Sequence, residues 1–111
     1  MEYTKKLGYL SNQWYNDGLK KANIRDLSGA VISLKKSLQY NRDNIASRNL
    51  LGLVYYGRGE VAEALVEWII SKNIKTHGNI ATYYIKKVQE SPSELDTINQ
   101  AIKKYNQCLS Y

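Results

Sequence analysis

The chain contains no phenylalanine, one proline, one cysteine, one histidine and one methionine. A single cysteine excludes an internal disulfide and fits a reducing compartment, so a cytoplasmic location is expected. No stretch approaches ~18 consecutive apolar residues, so no segment of this sequence reads as a bilayer span. The first residues, MEYTKKLGYLSNQ, have neither the apolar core nor the cleavage site of a secretory signal. The lone His77 lies in a turn beside Gly78, with no second histidine and no cysteine close enough in the chain to complete a metal site. A solvated turn residue is the expectation there. EF-hand, P-loop and glycine-rich dinucleotide patterns are all missing, so neither a metal nor a cofactor is expected.

What is present points to a packed domain. A length of 111 residues suits one domain, 43% apolar content can fill a core, and 23% charged content is ordinary for a folded chain. The net charge of +6 favours acidic partners without naming one.

The apolar period is helical from end to end. Tyr3, Leu7, Leu10, Trp14 and Leu19 form one stripe, which predicts a helix over about residues 3–23. Asn23-Ile24-Arg25-Asp26 breaks it, and Asp26 can cap the amides of the next helix, about 27–40, with Ala30, Val31, Leu34 and Leu38 buried. Asn41 to Asn44 form a polar turn. Two more helices occupy Asn49 to Ser71, on either side of Gly57-Arg58-Gly59. Thr76 to Asn79 make the next turn, and Ile80, Tyr83, Tyr84, Ile85 and Val88 predict a helix ending near Glu90. Pro92 disfavours helix at Ser91 but suits a first turn, so a last helix is expected over about 93–109, with Leu95, Ile98, Ala101, Ile102, Tyr105 and Leu109 on one face.

The central stretch NLLGLVYYGRGEVAEALVEWIIS carries Leu51, Gly52, Tyr55, Ala64 and Trp68 at fixed offsets. A shift of 34 residues lays Gly18 on Gly52, Leu19 on Leu53, Ala30 on Ala64, Ser37 on Ser71, Leu34 on Trp68 and Asp26 on Glu60. The stretch resembles a tetratricopeptide repeat, whose pattern is W-x2-L-G-x2-Y…A-x3-F…P. Arg48 stands where that pattern has Trp, and Thr76 where it has Pro. Residues 11–44 resemble a first repeat, with Trp14 at the tryptophan position but Asp17 and Lys21 in place of the usual Leu and Tyr. Residues 45–78 resemble a second repeat, and 79–111 a degenerate third pair that could open a further repeat. The resemblance implies an all-α fold: antiparallel helix pairs stacked as a short right-handed superhelix, one domain over 1–111.

Other chemistry is sparse. Cys108 falls where the first two repeats have glycine, and a small core residue is expected because no base lies near it in sequence. Glu60, Glu63 and Glu67 share one side of a helix. Glu60 suits a first turn facing the helix dipole, and the other two are expected to be solvated. Lysine doublets at 5–6, 20–21, 35–36, 86–87 and 103–104 recur on nearly every helix, as a solvated face or a basic surface. Their scatter argues against nucleic acid, and ten tyrosines without phenylalanine suggest rings whose hydroxyls reach water or a partner.

In the resembling family the first helix of each repeat lines a concave groove. The matching positions are Asn12, Tyr15, Leu19, Asn49, Leu53, Tyr56, Tyr83 and Lys87. Tyrosine rings mixed with amides can bind an extended peptide or a helix. Clamp positions for a terminal carboxylate would be Tyr15, Leu19, Ala46, Leu50, Ile80 and Tyr84, and none is Lys, Arg or Asn, which disfavours that subclass. The expected function is a non-enzymatic protein-interaction scaffold. A basic nucleic-acid-binding or regulatory module is the alternative, and self-association through the last helix is a further expectation.

Overall fold

The computed structural model describes residues 2–90 and 99–103. It is helical throughout: α1 (Glu2–Asn23), α2 (Leu27–Tyr40), α3 (Ile45–Gly57), α4 (Val61–Ile74) and α5 (Ala81–Gln89), with residues 99–103 also helical. Among the described residues no strand occurs. The 91–94 stop-and-start, Leu95, Ile98, Lys104, Tyr105, Cys108 and Leu109 lie outside the described residues. So do most of the expected last helix and its self-association face; within it Ala101 is buried and Ile102 is 44% exposed.

Local chemistry sets the helix limits. The Asp26 carboxylate accepts the Gly29 amide at 3.0 Å, and the Asn44 side chain accepts the Ser47 amide at 3.1 Å. Each such cap satisfies one of the amides a helix start leaves without an intrahelical partner. The α1–α2 and α3–α4 turns are built alike. The amide of Asp26 bonds the carbonyl of Lys21 at 2.8 Å, and that of Arg25 bonds Ala22 at 3.0 Å. Thirty-four residues on, Glu60 bonds Tyr55 at 2.9 Å and Gly59 bonds Tyr56 at 3.0 Å. This pair of bonds is the Schellman closure, which needs a left-handed residue after the helix. Gly59 supplies φ of 80° without strain, whereas Arg25 adopts 66° against its own Cβ.

Each helix runs antiparallel to the one before it. Ser11 bonds Ser37 while Asp17 bonds Ser33. Ser37 also bonds Ser47, while a Cβ on Gly57 would lie 3.5 Å from Leu27. On α4 and α5, Trp68 stacks near Tyr84 while Ser71 receives Asn79. In addition α1 touches α3. The core is formed by Ala30, Leu34, Leu51, Val54, Ala64, Leu65, Trp68, Ala81, Ile85 and Val88 among others.

Two glycines set how closely the helices approach. A Cβ on Gly18 would stand 2.7 Å from Leu34 Cγ, and one on Gly52 would stand 2.6 Å from Trp68 Cδ1. These are the pairs that the 34-residue shift equates. Small hydroxyls do the same work elsewhere: Ser11, Ser33, Ser37, Ser47 and Ser71 are all fully buried. Ser11 and Ser37 donate to each other's carbonyls at 2.8 and 2.7 Å, and Asn44 donates to Ser11 Oγ at 2.8 Å.

The structure adjusts several expectations. The α1 stripe is only half-buried at Leu7, Leu10, Trp14 and Leu19, and Tyr3 is exposed; the buried residues of α1 are Ser11 and Gly18. The helix packs on α2 through its small residues, where the axes come closest. Asp17 and Lys21, the departures from the repeat pattern, pair with each other at 2.8 Å. Both also bond Ser33, at 2.5 and 3.0 Å, so the polar pair is satisfied on α2. Glu67, expected in solvent, is instead only 14% exposed and ion-paired to Arg48 at 2.8 Å. The guanidinium occupying the tryptophan position draws it inward. Glu60 makes no side-chain cap and pairs with Arg58 at 2.5 Å. Ile80 precedes α5 as its cap residue, half of its surface exposed.

Candidate functional site: an aromatic cleft over Trp68

Trp68 is the largest fully buried side chain, and its placement follows from Gly52. With no Cβ at Gly52, the indole lies flat against α3, and its Nε1 donates to the Asn49 carbonyl at 3.2 Å. Burial of the indole therefore leaves no orphaned donor. The ring extends between α3 and α5, where Tyr84 approaches it at 5.1 Å between centroids and Tyr56 at 6.2 Å. Tyr83 meets Tyr84 edge-on at 5.9 Å, and the Lys87 ammonium lies 5.6 Å from the Tyr83 ring. Offset and edge-on geometries of this kind are the favoured ones for aromatic rings.

Over this floor is a cleft of about 170 Å³, lined by Leu53, Tyr56, Trp68, Tyr84, Lys87 and Val88. Tyr56 and Leu53 form the α3 wall, and both are exposed, at 51% and 39%. Lys87 and Tyr84 form the α5 wall. The cleft is apolar except for one ammonium and the phenol hydroxyls.

Three of the eight residues singled out in the sequence, Leu53, Tyr56 and Lys87, meet here. Tyr83 is exposed but lines a separate, shallow depression with His77, Ile80 and Lys86. His77 itself is exposed in its turn. Asn49 is half-buried, and its amide donates to Asn79 at 2.9 Å rather than lining the cleft. Asn12 is exposed on α1 and accepts from Asn44 at 3.2 Å; Tyr15 packs against the core, and Leu19 is half-buried. The α1 residues line neither cavity. Trp68, Tyr84 and Val88 complete the cleft and are not among the groove positions that the repeat resemblance implies. The adjacent tyrosines of α5 were the available signal, since neighbours on a helix are about 100° apart and only one can face α4.

No group of three or more His, Cys, Asp or Glu side chains is placed to hold a metal among the described residues. Nor is any helix among them long and apolar enough to cross a membrane.

No family model matches the chain, and no solved structure matches it. A 44-residue stretch is 43% identical to part of the BBSome complex member bbs-4 of Caenorhabditis elegans. That stretch is 40% of this chain and 10% of that protein, so the similarity spans about a tenth of the relative's length.

Proposed function

We propose that the chain is a non-enzymatic protein-interaction scaffold, made of tetratricopeptide-like helix pairs stacked as a short superhelix. It takes a peptide or a helix of a partner protein in the cleft over Trp68. The observation that carries the reading is the cleft itself: exposed Tyr56 and Leu53 beside a preorganised Trp68–Tyr84 pair, open to solvent between two helices. Rigid aromatic rings give contact area at little entropic cost, and interfaces are enriched in them. The stacked architecture is supported by the matching Gly18–Leu34 and Gly52–Trp68 contacts and by the two like turns, each pair 34 residues apart. The partial similarity to a protein named as a member of a complex supports protein partners.

The test begins with peptides selected from a display library on the wild-type chain. Tyr56→Ala and Tyr84→Ala should each weaken a selected peptide by about 2 kcal/mol, the size of a hot-spot ring, with helicity by circular dichroism unchanged. Peptides indifferent to both substitutions would remove the cleft. Oligonucleotide binding that collapses between low and physiological salt would instead promote the basic-module alternative.

A further inference from the structure

A second cavity lies away from the aromatic cleft, among α2, α3 and α4. It has a volume of about 490 Å³ and is lined by Lys35, Leu38, Gln39, Arg42, Arg48, Leu51 and Glu67. Its charges are unequally matched. Arg48 is neutralised by Glu67 at 2.8 Å, and its Nε donates to the Arg42 carbonyl at 3.1 Å, which fixes that wall. Lys35 and Arg42 are both exposed, and neither has a carboxylate within ion-pair distance among the described residues. The lining also includes two leucines, Leu38 and Leu51.

We propose that this cavity is a second binding site, which takes an acidic protein segment whose carboxylates pair with Lys35 and Arg42. Charge complementarity selects the occupant, since the cavity carries two cations without an ion-pair carboxylate among the described residues. A polypeptide fits better than nucleic acid, because no exposed aromatic ring lines the cavity to stack a base.

The test uses the whole chain and a fluorescently labelled peptide of alternating glutamate and glycine, followed by anisotropy at physiological salt. Arg42→Gln, in an exposed turn, leaves the fold unchanged by circular dichroism and should weaken binding a few-fold. Lys35→Gln with Arg42→Gln should weaken it about tenfold, as for paired charges across an interface. Lys5→Gln with Lys6→Gln removes the same net charge from α1 and should change binding less than about twofold. Equal losses from the two double variants would show attraction to net charge alone and overturn the site. So would a single-stranded oligonucleotide of equal charge that bound more tightly than the peptide and lost affinity in the same variant. Because Tyr56 and Tyr84 lie outside this cavity, their alanine variants should bind the acidic peptide as the wild type does, which separates this site from the aromatic cleft.

Discussion

Gly52→Ala should destabilise the protein although alanine is the better helix former. In the middle of α3 the exchange gains about 0.5–1 kcal/mol of backbone entropy and propensity. Against this, the new Cβ falls inside van der Waals contact with Trp68, 2.6 Å from both Cδ1 and Cε2 and closer still to Nε1. The indole is rigid and hemmed in by Tyr84 and Tyr56, so it cannot yield by rotating one terminal bond. Overpacking of this kind costs about 1–3 kcal/mol. Displacing the ring also strains the bond to the Asn49 carbonyl, worth about 1 kcal/mol. The net loss is about 1–3 kcal/mol, which at roughly 1.5 kcal/mol per molar urea moves the midpoint down by about 0.7–2 M. Gly18→Ala meets Leu34, a branched chain that can shift rotamer, so its net effect should be smaller. Gly8→Ala, with no atom within 4 Å of the new Cβ, should raise the midpoint by the propensity term alone. Urea melts of the three variants should rank Gly8→Ala above wild type, Gly18→Ala below Gly8→Ala, and Gly52→Ala lowest. A Gly52→Ala midpoint at or above that of Gly8→Ala would refute the close contact between α3 and α4.

Asn44→Ala removes a helix cap and the donors to Ser11 and Asn12 together, and should cost roughly 2–3 kcal/mol in the same melts. Arg25→Gly relieves a left-handed residue in the α1–α2 turn and should raise the thermal midpoint by the equivalent of roughly 0.5–1 kcal/mol. The hydrogen bond from Lys21, with help from Ser33, holds the Asp17 carboxyl below its ordinary value of 3.8. Its folded pKa is therefore the lower one, so its stabilisation is complete above the unfolded value and fades as pH falls through the folded one. Asp17→Asn should accordingly flatten the acid limb of the stability–pH curve below about pH 4, and an unchanged acid limb would contradict the Asp17–Lys21–Ser33 arrangement.

The helices were legible in the sequence because their causes are local. Apolar spacing marks each helix, Asp26 sits where a cap must be, and Gly57 to Gly59 and Thr76 to Asn79 interrupt the period at the right places. The 34-residue offset was legible for the same reason: small residues at 18, 30, 52 and 64 reflect where backbones must approach. Buried polar pairs were not. Nothing in the spacing of Arg48 and Glu67, or of Ser33 and the Asp17–Lys21 pair, reveals the contact, because in each case one partner sits on another helix.

The cleft shows the same division. The resemblance to the repeat family marked Leu53, Tyr56 and Lys87 as belonging to helix faces that a partner could reach. Only the tertiary structure decided that they converge on Trp68 and Tyr84, and that Asn49 and Tyr15 turn to other tasks. Periodicity determines which side of a helix a residue occupies, because the backbone repeats every 3.6 residues. Which side chains then share a cavity depends on the distance and rotation between helices. Those are set by glycine and serine contacts across the interface and by the reach of a single indole, and they exist only once the helices have packed.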